Sequence, residues 1–139
     1  MTEHGKSQPR LFDELSSSHE IVHQGEQETI AAGIVTVNIA SQFASPLRQR
    51  DPANIHFEKH KQPHVTERMV NHLRGLKMRD AVGEVGFDAL CIFVVDCDNQ
   101  VGCSLHSAIP APQPGDRDYY DTFIKRISRF YTERFSALT

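Results

Sequence analysis

The sequence predicts an α+β domain, built on an antiparallel or mixed sheet of 4–5 strands with two amphipathic helices packed mainly on one face. Three observations carry that expectation. Residues 87–98 read Phe-Asp-Ala-Leu-Cys-Ile-Phe-Val-Val-Asp-Cys-Asp, a nearly unbroken apolar run closed by a turn, which is the pattern of a strand buried on both faces. Tyr120, Phe123, Ile124, Ile127, Phe130, Tyr131, Phe135 and Leu138 recur at helical spacing and form one stripe. Strand-like composition resumes at Val101, only a few residues past Asp98, so the connection is a hairpin and too short for a parallel crossover.

From the N-terminus, residues 1–18 hold one short amphipathic patch, Leu11 to Leu15, followed by three serines. That is too little apolar surface to order a chain, so a flexible arm is expected there, with a single domain over 19–139. His19 to Gln24 reads as a short strand, and Thr29 to Ala40, with its β-branched run Ile34 to Val37, as a longer one. Two prolines make 41–53 a loop, and Asn54 to His60 fits a short edge strand. Val65, Met69, Leu73 and Leu76 mark a helix over 64–79, with Pro63 in its first turn. Prolines punctuate 108–118, an extended connector, and Asp116 or Asp118 is placed to cap the last helix.

Charge is segregated along the chain. Residues 44–82 carry Arg48, Arg50, Lys59, Lys61, Arg68, Arg74, Lys77 and Arg79, whereas 83–115 hold Glu84, Asp88, Asp96 and Asp98 and no base. The net charge of −3 argues against a nucleic-acid partner, and neither interleaved aromatics nor a reading helix supports one. No stretch approaches the ~18 apolar residues of a membrane span, and the first ten residues lack the apolar core of a signal peptide, so a cytoplasmic location is expected. Cys91, Cys97 and Cys103 are odd in number and sit in or beside the core strands, so they read as reduced, packed thiols.

Two constellations could carry chemistry. Asp96 and Asp98, two residues apart at a strand end, could share a divalent metal ion with His56 and His60, the ligand set of a metal-dependent hydrolase or nuclease. Turn formation explains the same two aspartates more simply, and the His-rich segment lacks a His-Glu-x-x-His signature. The second is a set of aromatic and polar residues near loops, Phe43, His106, Tyr119 and Tyr120, suited to line a pocket beside the proline connector. Phosphate loops, nucleophile elbows and dinucleotide fingerprints are all lacking, so the expectation is a small-molecule- or protein-binding module that is not catalytic and needs no cofactor. The final helix carries five large aromatics over sixteen residues, more than one small sheet face requires, and on that ground the module is expected to be a homodimer.

Overall fold

The computed structural model describes residues 4–136, so Leu138 of the expected aromatic stripe lies outside the described residues. Three helices surround a mixed three-stranded sheet, and a small two-stranded sheet stands apart from it. The elements are α1 (His4–Gly25), β1 (Ala32–Asn38), β2 (Gln42–Phe43), β3 (Glu58–Lys59), α2 (His64–Leu73), β4 (Ala89–Asp96), β5 (Ser104–Leu105) and α3 (Tyr120–Phe135). The α+β class is as expected, but the strands divide three and two instead of joining in one sheet of four or five.

β4 is the centre. It runs parallel to β1, with Ile34 beside Cys91 and Val37 beside Val94, and antiparallel to β5. The parallel pair is possible because α2 lies between β1 and β4 in the chain and supplies the crossover. Alternation along β4 then divides the core in two. Leu90, Ile92 and Val94 join Val35 and Val37 of β1 against Met69, Val70 and Leu73 of α2, with Leu11, Phe12 and Leu15 of α1 on the same side. Ala89, Cys91 and Phe93 point the other way, onto Phe123 and Ile127 of α3. Helices therefore cover both faces of β4, which corrects the expected one-sided packing. A strand apolar on both faces needs an apolar partner on each, and α3 supplies the second.

α1 also corrects the strand expected at His19–Gln24, and it runs through the boundary expected after residue 18. The apolar pair that suggested a strand, Ile21 and Val22, is exposed, whereas His19 and His23 are buried. Leu11, Leu15, His19 and His23 fall on one helical face, so two histidines occupy positions where the helix pattern would call for aliphatic side chains. His19 meets the edge of Phe87 with ring centroids 5.2 Å apart.

The cysteines depart from expectation too. Cys97 and Cys103 form a disulfide, and Cys91 alone is a free, buried thiol. Val95 pairs with Leu105 and Asp96 with Ser104, so the next rung of that antiparallel ladder sets Cys97 opposite Cys103. Asn99, in the left-handed region at φ 64°, turns the chain between them.

Candidate functional site

A cavity of about 420 Å³ lies where β4 outruns its short neighbour β5. β5 pairs with Val95 and Asp96 only, which leaves the edge of β4 from Ile92 to Val94 for the connector to close. Ile92 donates to the carbonyl of Asp118 at 3.0 Å, and the amide of His106 donates to the carbonyl of Val94 at 2.8 Å. Between those anchors the proline segment arches out and forms a wall of Ala111, Pro112 and Pro114. Gln113 stiffens the arch, since its side-chain amide donates to the carbonyls of Ser107 at 3.0 Å and Ala111 at 2.8 Å.

The aspartates expected to cap α3 hold this wall instead. Asp118 accepts from Arg74 Nε at 2.8 Å and Asp116 from Arg74 Nη2 at 3.0 Å, which ties the connector to the end of α2. Hydrogen bonding to Asp118 pushes the pKa of the Arg74 guanidinium further up, against the opposing effect of its partial burial. The N-cap of α3 is Tyr119, whose side chain makes no capping bond, so the first turn of the helix has no side-chain cap at the cavity lined by Tyr119, Tyr120 and Asp121. Phe93 and Tyr120 stack obliquely on the floor, with centroids 5.8 Å apart.

His106 lines this cavity together with the polar residues Ser107 and Asp121. The Nε2 of His106 is buried and has no hydrogen-bond partner among the described residues. Of the expected pocket residues, His106, Tyr119 and Tyr120 line the one cavity, and Phe43 does not. Phe43 sits on β2 opposite Glu58 of β3, in the small sheet.

The expected metal ligands are placed differently. Asp98 accepts from the amides of Val101 at 3.0 Å and Gln100 at 2.8 Å, and these bonds hold its carboxyl below the usual carboxylate range. It is a turn residue. Asp96 is exposed at the end of β4, and His56 is exposed in the loop before β3, where its backbone pairs with the side chain of Gln49. The amide of His60 donates to the carbonyl of Ser41 at 2.8 Å, next to the β2–β3 pair. No three His, Cys, Asp or Glu side chains among the described residues gather so as to hold a metal ion.

A second polar cluster, at the opposite end of β4, gave no signal in the sequence. Asp88 Oδ1 accepts from Arg79 Nε at 2.9 Å and Arg134 Nη2 at 2.6 Å. Its Oδ2 accepts from the amide of Ala31 at 2.8 Å and from Arg79 Nη2 at 3.1 Å, with His23 Nε2 3.4 Å away. Arg126 adds bonds to the carbonyls of Asp88 at 2.7 Å and Arg79 at 2.8 Å. Burial alone would raise the Asp88 pKa, but the bonds from Arg134, Arg79 and Ala31 outweigh it and hold the group below the ordinary value. With both oxygens engaged by the protein, this cluster is a fastener for α1, β1, β4 and α3. Of the bases gathered in residues 44–82, Arg79 is wholly buried here and Arg74 serves the connector.

Comparison with protein-family models, with curated proteins and with solved structures finds no match to this chain.

Proposed function

We propose that this protein is a non-catalytic, homodimeric binding module whose ligand is a small molecule held in the cavity of His106, Tyr119 and Tyr120. One observation carries the assignment: His106, whose buried Nε2 has no hydrogen-bond partner among the described residues, lines a pocket walled mostly by proline, aliphatic and aromatic side chains, with Ser107 and Asp121 also in its lining. A buried polar atom left unpaired costs roughly 1–3 kcal/mol, and a bound molecule that hydrogen-bonds to it removes that cost. The volume suits a ligand of one or two rings, at the small end of the ~300–1,000 Å³ range of such sites. Its chemistry follows from the lining: a flat, apolar body to lie along Pro112 and Tyr120, with a single hydroxyl, amide or carboxylate group facing His106.

A cytoplasmic location belongs to the same proposal. No helix among the described residues is long and apolar enough to cross a membrane. In the cytoplasm the Cys97–Cys103 bond would face a reducing thiol pool, so it would open and close there instead of acting as a permanent staple.

Ligand-observed NMR with a mixture of monocyclic aromatic fragments, each bearing one hydroxyl, amide or carboxylate group, tests the assignment. Fragments that bind the wild-type chain and are released by His106→Phe support it. Fragment binding indifferent to that substitution places the ligand elsewhere and contradicts it.

A further inference from the structure

The edge of β1 away from β4 is open. In the parallel ladder, Ile39 donates to the carbonyl of Val95 and Ala89 donates to the carbonyl of Ala31, which fixes the alternation. Gly33, Val35 and Val37 then bond β4, and the amides and carbonyls of Ala32, Ile34 and Thr36 point outward. The next outward carbonyl, that of Asn38, is closed by Gln62 Nε2 and Thr66 Oγ1 at 3.2 Å each. The three before it have no partner among the described residues.

This edge carries none of the features that keep exposed strands apart. Natural sheets protect such edges with lysine, proline, a bulge or a very short strand. β1 is seven residues long, and no charged residue occurs between Glu28 and Arg48. The same face of the sheet is also bare beside it, because α3 sits over β4 and leaves Ile34 58% exposed. On α3, Ile124 and Tyr131 flank the buried stripe on the side away from Arg126 and Arg129, which both reach Asp80. They are 43% and 59% exposed.

We infer that the partner of this edge is a second copy of the chain, with the two β1 strands paired antiparallel about a two-fold axis at Ile34. The inference rests on the homodimer proposed above and specifies its interface. Self-pairing at Ile34 is complementary: Ile34 exchanges both backbone bonds with its counterpart, and Ala32 of each copy does the same with Thr36 of the other. No like charges oppose one another across the pair. The axis stands perpendicular to the joined sheet, so both α3 helices lie on the same face. Three strand spacings of ~4.8 Å separate the two β4 strands, which puts the helices about 14 Å apart. That gap is wider than the ~8–10 Å of direct helix packing. It leaves a trough over the two Ile34 side chains that Tyr131 and Ile124 of each copy fill. Strand pairing alone buries too little for the ~1,200 Å² of a specific interface, and the aromatic trough supplies the rest.

Light scattering at micromolar concentration separates the outcomes. The wild-type chain is expected at twice the 15.7 kDa chain mass. Ile34→Lys, which sets two ammonium groups face to face, and Thr36→Pro, which removes one outward amide without touching the bonds to β4, are each expected at the monomer mass with an unchanged circular dichroism spectrum. A wild-type monomer overturns the dimer altogether and leaves the edge to a foreign strand. A wild type that is dimeric together with variants that stay dimeric keeps the dimer but overturns this interface.

Discussion

Arg79 and Asp88 form an ion pair in which neither side chain reaches solvent, Nε to Oδ1 at 2.9 Å. Arg134 closes on the same oxygen from α3, so one carboxylate joins two guanidinium groups. Taking such charges out of water is expensive, and the geometry is stable only while all partners are present. Asp88→Asn is therefore expected to lower the unfolding free energy by about 3–5 kcal/mol, because it leaves two buried cations facing a neutral amide. Urea unfolding measures this, and a loss under ~1 kcal/mol would show that water reaches the cluster.

The same carboxylate contributes to the acid limit of the fold. Its native pKa lies below the unfolded value, so its contribution is complete above the ordinary carboxylate range and is lost as pH falls through the native pKa. Stability is expected to fall steeply below about pH 4, and Asp88→Asn is expected to flatten that limb.

His19 acts at milder pH. Burial lowers its pKa, with His23, Lys77 and Arg79 adding to the effect and Glu20 opposing it. The unfolded chain therefore takes up the proton first, near pH 6.5, and stability is complete above that value and declines as pH falls through it. His19→Phe keeps the edge contact with Phe87 within reach and removes the titration. Its unfolding free energy is expected to be flatter than wild type between about pH 6.5 and 5, and an unchanged slope would locate the titration elsewhere.

Gly86 and Gly83 both have positive φ, 138° and 91°, but only one of them is crowded. A Cβ on Gly86 would meet the carbonyl oxygen of Lys77 at 2.7 Å, where that oxygen accepts from the amide of Phe87, whereas a Cβ on Gly83 meets nothing within 4 Å. Gly83→Ala is expected to cost about 1 kcal/mol from backbone strain alone, and Gly86→Ala more than 2 kcal/mol. Equal losses would mean that the loop shifts freely.

The thiols divide by location. Burial pushes the Cys91 thiol up to about 11, with the Asp118 carboxylate adding to the effect, and the other two cysteines are bonded to each other. A thiol reagent is expected to leave the native, non-reduced chain unlabelled and to modify one cysteine per chain once it is unfolded. Rapid labelling of the native protein would contradict this arrangement.

How legible these features were in the sequence depended on whether the deciding partner was local. β4 could be read from its own composition, because a strand covered on both faces is apolar throughout. α3 could be read from its period. α1 could not, since its inner positions include His19 and His23, whose partners Phe87 and Asp88 lie more than sixty residues away and reverse the polarity that Ile21 and Val22 suggest. Arg79 stands at the end of the helix expected over 64–79, and its burial depends on Asp88, Gln27 and Thr29, all outside that helix. The disulfide was within reach, because a hairpin centred on Gln100 sets residue 97 opposite 103, but the odd number of cysteines pointed away from it. His106, Tyr119 and Tyr120 stand near loops in the sequence, and the cavity that gathers them depends on anchors between Asp118 and both Ile92 and Arg74 that no sequence spacing reveals.

The measurement closest to the central claim is the paired thermal stability and fragment binding of His106→Phe. If the unpartnered imidazole serves a ligand, the substitution should leave the melting temperature of the empty protein unchanged or raised and should abolish the NMR response to the aromatic fragments that bind wild type. A variant that melts several degrees lower yet binds the same fragments equally well would show that His106 serves the fold, and would contradict the assignment of this cavity as the binding site.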